Sequence, residues 1–211
     1  EALWSLGFGR PLKDELALRA LSHEDEHVRR WAVRLVCDQR QVSGALVDRL
    51  AAMAKGEKAL EVRSQLASSA GRLAAVDCLR LVAALCSHDR DSGDVHIPLL
   101  LWWAIESKFG KNDSEVVAFF EEAELWKRRI VSEHLAARVI RRFAMMETEA
   151  GWAACVRLFE LAPATDDAKR LVAGFEKAFA GRTLPKLPAG LVGALLGAGG
   201  ASLELRLRAG E

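Results

Sequence analysis

The sequence predicts an all-α fold, an α-α superhelix in which antiparallel helical hairpins stack as one solenoid along residues 1–211. Three observations carry that expectation. A two-helix pattern returns about every 34 residues. In the first copy Leu18 and Leu21 precede a polar turn, then Val28, Arg29, Ala32 and Leu35 follow. In the second, Leu46 and Leu50 precede Val62, Arg63, Leu66 and Ala70. The third has Leu79, Val82 and Leu85 before Val95, His96 and Leu99. A unit of this length cannot bury its apolar face alone and must stack on its neighbours. Composition agrees: half the chain is hydrophobic, Ala and Leu dominate, and there is no Tyr, so the β-branched and aromatic runs of a sheet are missing. Finally, the prolines at 11, 98, 163, 185 and 188 all fall at helix entrances or in loops.

Taken in order, residues 2–7 read as the tail of a helix stopped by Gly7 and Gly9. Pro11 opens a helix to about Leu21. Asp25 is the expected N-cap of a helix from Val28 to Cys37 with Val28, Ala32, Leu35 and Val36 inward. Helices follow at about 43–54, 59–73, 75–86 and 96–109. Pro98 sits in the first turn of the last, where its missing N–H is harmless. The run from Ile97 to Ile105, apolar almost all round, predicts a helix covered on several sides. The clear repeats end at 109, and more divergent helical repeats fill 110–180. Asp113 or Ser114 caps a helix from Val116 to Glu124, and a long helix is expected from Leu125 to Met146. Helices at 149–161 and 166–180 come next, with Pro163 and Asp166 as stop and start. Residues 181–211 form a cap or tail with one short helix at Leu191 to Leu196.

The net charge of +1 exerts no global pull on nucleic acid or an anionic membrane. No stretch reaches the ~18–20 apolar residues of a membrane span, so no direct membrane insertion is expected. Cys37, Cys78, Cys86 and Cys155 form no CxxC or CxxCH. Cys78 and Cys86 would lie roughly 12 Å apart along one helix, beyond disulfide reach, and buried free thiols are expected. The start at Glu1, already apolar at Leu3, Trp4 and Leu6, reads as a segment of a longer protein.

The pattern Leu-x-x-Leu, polar turn, Asp-x-x-Val-Arg-x-x-Ala at Leu18 to Ala32 resembles the HEAT repeat. In that family an Asp in the turn and an Arg early in the second helix form a ladder between neighbours. Asp25 and Arg29 match the pair. Arg63 matches in the second copy, where Ala59 replaces the Asp, and His96 replaces the Arg in the third. Segments at 2–6, 28–35, 62–70, 96–106, 141–144 and 155–163 are together similar to the helical region of large membrane-bound dehydrogenases and haem-binding proteins of planctomycetes and their relatives. That likeness implies a propeller domain before this region, a CxxCH cytochrome domain after it, and an exported or periplasmic location. Neither domain's motifs are present, so the implied role is a spacer or docking platform between redox domains.

Two motifs suggest metal chemistry. His23-Glu24-x-x-His27 satisfies the zinc-hydrolase signature, which needs both imidazoles on one helical face and the Glu as base toward a metal-bound water. Here the motif straddles an inter-helix turn, and with Asp25 as N-cap His23 falls outside the helix. Asp89 to Asp94 resembles a calcium loop but has Gly93 and Leu100 where oxygen ligands belong, so its carboxylates are expected to cap the next helix. A stripe of Lys127, Arg128, His134, Arg138, Arg141 and Arg142 on the expected long helix could meet phosphates or an acidic protein surface. The plain alternative is a solvated face, partly neutralised by Glu121, Glu122 and Glu124. Trp102, Trp103 and Trp126 are expected in the core. The function expected is therefore a non-catalytic scaffold that contacts protein domains in the same longer chain and holds no cofactor. The rivals are a nucleic-acid-binding solenoid using the stripe and, behind it, the zinc hydrolase.

Overall fold

The computed structural model describes residues 12–39 and 41–198, which are helical with no strand among them. The expectations for residues 2–7, for Pro11 and for the end of the tail lie outside the described residues. The chain divides into two compact units, Glu1–Glu115 and Val116–Glu211.

The first unit contains α1 (Asp14–Leu21), α2 (Glu26–Asp38), α3 (Gly44–Gly56), α4 (Leu60–Ala70), α5 (Ala75–Leu85), a 3-10 turn (Asp89–Gly93) and α6 (Ile97–Glu106). Successive helices pair as hairpins, and each also packs on the helix two further along: α1 on α3, α3 on α5, α2 on α4, α4 on α6. Two layers result, one of odd and one of even helices. Leu21, Leu46, Leu50, Leu66, Leu81, Leu85, Leu101 and Ile105 are fully buried. Each contributes about 2 kcal/mol relative to exposure, which makes this core the main stabilising term.

The local starts follow from chain chemistry. Asp25 accepts from the backbone N–H of His27 at 2.7 Å and of Val28 at 3.3 Å, and Ser43 caps α3. Asp94 repeats the Asp25 pattern, accepting from His96 and Ile97 at 2.8 Å each. This cap resets the register of the third copy. Val95, expected to match the inward Val62, is 83% exposed, and Ile97 is the fully buried equivalent. Pro98, not His96, therefore occupies the place of Arg29 and Arg63. α6 is covered on several sides as expected, packing on α4, α5 and the 3-10 turn, but Trp103, expected in the core, is 53% exposed, and with Leu99 one turn away it faces solvent.

The second unit follows α7 (Asp113–Phe119), which spans the division. It holds α8 (Ala123–Trp126), a π-helical segment (Val131–Leu135) leading into α9 (Ala136–Ala144), then α10 (Glu149–Leu161), α11 (Thr165–Ala178) and α12 (Ala189–Gly197). α9 packs on α10 and α11, and α10 packs on α12. Trp152, Phe175 and Phe179 form an aromatic cluster with ring centroids 5.3–6.2 Å apart. At the α9–α11 crossing a side chain on Gly174 would put its Cβ 2.3 Å from the Ala137 carbonyl oxygen. Only glycine allows that approach.

Two sequence expectations need correction here. The helix expected from Val116 to Glu124 ends at Phe119, and the one expected from Leu125 to Met146 is interrupted. The Trp126 indole N–H donates to the Phe120 carbonyl at 2.8 Å, which folds α8 back toward the end of α7. The chain then bends at Lys127–Arg128 before the π segment begins. Trp126 is buried as expected.

Candidate functional site: a ladder across the turns and its groove

The hairpin turns of the first unit are joined by two ion-pair rungs built alike. Arg29 Nε and Nη2 donate to the Glu57 carboxylate, both at 2.8 Å, while Nη1 donates to the His23 and Glu24 carbonyls at 2.9 and 2.7 Å. Arg63 repeats this one unit later. Its Nε and Nη2 reach Asp91 at 2.6 Å, and its Nη1 reaches the Glu57 and Lys58 carbonyls at 3.1 and 2.8 Å. Each arginine thus holds the carboxylate 28 residues ahead and ties down the turn behind it. Bidentate guanidinium–carboxylate geometry fixes both distance and angle between neighbouring turns.

The ladder arginines were legible, but their partners were not. Asp25 caps its helix as expected, but the acids that pair with Arg29 and Arg63 are Glu57 and Asp91 rather than the turn Asp of the HEAT pattern. Both acids lie 34 residues apart at the place held by His23 in the first copy. His23 Nδ1 accepts from the Asp25 N–H at 3.0 Å, just as Glu57 Oε1 accepts from the Ala59 N–H at 2.9 Å. Burial alone would raise the Glu57 pKa, but the Arg29 hydrogen bond and the Ala59 amide together hold it below the usual carboxylate range. The His27 and Val28 amides hold Asp25 low as well.

Helix ends receive a second set of donors. Arg49 Nη2 donates to the Leu21 carbonyl at 3.1 Å, and His88 Nε2 to the Ala54 carbonyl at 2.7 Å. Lys108 is buried and places Nζ 2.8 Å from the Gly71 and 2.7 Å from the Leu73 carbonyl. The sequence signal for Lys108 was only a cation just past a helix end, a position suited to orphan carbonyls.

Beside the Arg63–Asp91 rung lies a groove of about 480 Å³. It is walled by Gly56 to Lys58 on one turn and by Ser87 to Asp91 on the next.

The motifs with metal-like spacing are committed to structure. In His23-Glu24-x-x-His27 the first imidazole binds a turn amide, Glu24 offers a carbonyl to Arg29, and His27 lies in the first turn of α2 with its amide bonded to the cap. In the loop from Asp89 to Asp94, Asp91 is spent on Arg63 and Asp94 on capping α6. Among the described residues no group of three His, Cys, Asp or Glu side chains could hold a metal ion. All four cysteines are buried. Burial pushes the Cys37 and Cys155 thiols up to about 12 and Cys78 to about 11, so none of these three is a ready nucleophile.

The basic stripe does not run along one helix. Lys127 lies on the bend, paired with Glu124 at 2.5 Å, and Arg128 follows it there. His134 belongs to the π segment, whose extra residue per turn shifts the angular register. Arg138, Arg141 and Arg142 share a face of α9; Arg141 is exposed, and Arg138 donates to the His134 carbonyl at 2.7 Å.

Comparison with family models, curated proteins and solved structures finds no match to this chain.

Proposed function

We propose that this chain is a HEAT-like solenoid segment acting as a non-catalytic scaffold that docks neighbouring protein domains, with no cofactor of its own. What carries the reading is where apolar side chains remain in water. Among the described residues Leu60, Val95, Leu99 and Trp103 are exposed on the even-helix layer or the turn leading into it, whereas the odd layer exposes Val76 alone and the second unit Met145. Trp31, on α2 of the same layer, is also partly exposed and lies beneath the Arg34 guanidinium. Leu99 and Trp103 stand one turn apart on α6 as an adjacent exposed pair; exposed apolar groups held together mark interaction surfaces far better than scattered ones do, and aromatic anchors dominate interface energies. The strongest polar constellations meanwhile serve the turns.

The experiment is cross-linking of the native full-length polypeptide with Leu99→Asp and Trp103→Asp combined. Contacts from other domains are expected to concentrate on α6 in the native protein and to fall by about tenfold or more in the variant, with its helical signal retained. Unchanged cross-links would overturn the scaffold reading. The resemblance to planctomycete redox proteins adds a narrower version, in which the docked domains flank this segment and one carries haem.

A second reading follows from Arg138, Arg141 and Arg142 sharing one face of α9: a nucleic-acid surface. It predicts duplex binding that weakens steeply with salt and collapses in the triple alanine variant. Salt-independent or absent binding would remove it.

A further inference from the structure

We propose that the groove between the turns at 56–58 and 87–91 is a docking site for a carboxylate-rich peptide segment of a partner protein, gripped by Lys58 and Arg90. This rests on the scaffold reading and assigns a ligand chemistry to one part of it.

The groove's own acids are already neutralised. Glu57 and Asp91, which line it, are each held bidentate by an arginine. Arg63 has its donors committed to Asp91 and to two turn carbonyls. Lys58 and Arg90 differ: both line the groove, both are exposed, and neither forms an ion pair or side-chain hydrogen bond with a described residue. Asp89 is the remaining exposed acid there, so the mouth is left net positive. The His88 Nε2–H is occupied by the Ala54 carbonyl, which fixes one wall.

The molecule supplies its own comparison. One period earlier, the place of Lys58 is held by Glu24 and the place of Arg90 by Gly56. The place of Asp89 is held by Lys55, so the same rung geometry is built twice, once beside one exposed lysine and the acid Glu24 and once beside two exposed cations and the acid Asp89. The rung geometry does not require cations at those two places, since the Arg29–Glu57 rung forms with Glu24 and Gly56 there. Gly56 has open space where a Cβ would stand, so the groove floor is clear on that side. A groove of about 480 Å³ bordered by backbone turns and two free cations suits an extended chain presenting carboxylates. Arginine offers such a chain a planar fork and lysine a mobile point charge.

The test is titration of the ¹⁵N-labelled full chain with acetylated, amidated hexaglutamate, using hexalysine as the control peptide. Saturable amide shifts are expected at Gly56, Lys58, Ser87 and Arg90, while Ser22 to Asp25 stay unmoved. Replacing Lys58 and Arg90 together by Ala is expected to weaken binding by about tenfold. Those residues hold nothing else in place, so the thermal melt should not move. Three results would overturn the proposal: no saturable shifts, shifts centred on Arg138, Arg141 and Arg142, or equal affinity in the double variant. A negative titration alongside cross-links that still depend on Leu99 and Trp103 would remove the groove and leave the scaffold standing.

Discussion

Single residues reveal how little room the packing leaves. Gly174 sits inside α11, where glycine ordinarily costs about 1 kcal/mol relative to alanine. Gly174→Ala should therefore stabilise a free helix. Here its Cβ would lie 2.3 Å from the Ala137 oxygen and 2.8 Å from both the Ala137 Cα and an Ile140 methyl. Two of those neighbours are backbone and cannot swing aside, so we expect Gly174→Ala to destabilise by about 1–3 kcal/mol, read as a lower denaturant midpoint. Ala59 gives the opposite sign. Its backbone (φ −75°, ψ 121°) nearly matches that of Asp25 (φ −73°, ψ 122°), yet it has no side chain with which to cap α4. Ala59→Ser should add about 1 kcal/mol, and an unchanged midpoint would show that water already satisfies the Glu61 and Val62 amides, since Glu57 accepts from the Ala59 N–H and not from them.

At the scale of elements, the rungs decide how the hairpins hold one another. Removing one partner of a buried, hydrogen-bonded ion pair costs about 3–5 kcal/mol, whereas replacing both with apolar residues is often close to neutral. Arg63 does more than pair with Asp91, because its Nη1 also satisfies the Glu57 and Lys58 carbonyls. Arg63→Ala should thus cost about 3 kcal/mol, and Arg63→Met with Asp91→Leu should recover only part of it. Full recovery would mean that the turn carbonyls find water unaided. The Glu57 rung also sets an acid limit. Its carboxyl is held low in the folded state, so the folded protein resists protonation more than the unfolded chain does. That stability is complete above the ordinary carboxylate range of about 4.3 and drains away as pH falls through the depressed folded value. Glu57→Gln should flatten the acid limb of a stability–pH curve while lowering the neutral plateau. Sequence reasoning reached α2, α3 and α10 closely because their caps and apolar periods are local, and α4, which has no side-chain cap, through its apolar period alone. It missed the bend at Lys127–Arg128 because no proline or glycine marks it; the break depends on Trp126 reaching the Phe120 carbonyl. It misaligned α6 because one extra residue precedes Asp94, which only the cap's hydrogen bonds disclose.

For the molecule as a whole, the 34-residue period was readable because every copy must present the same apolar face to its neighbours. The ladder acids were not, since Glu57 and Asp91 differ in kind and His23 holds their place in the first copy. The exposed strip on α6 was misread for a related reason: the run from Ile97 to Ile105 looks equally apolar on all sides, and only stacking shows which side lacks a neighbour. Such stacking has a thermodynamic consequence. When each hairpin touches only adjacent hairpins, cooperativity across the unit depends on the interfaces rather than on one shared core. In the first unit the α2–α4 interface carries the Arg29–Glu57 rung, and the α4–α6 interface lies beside Arg63–Asp91. Native-state hydrogen exchange should accordingly show the slowest amides of α2 and α6 opening with a common free energy. Arg63→Ala should split them, with α6 opening at lower free energy while α2 remains tied to α4. If both helices fell together by the same amount, Glu1–Glu115 would be a single cooperative core, and nearest-neighbour stacking would not describe its energetics.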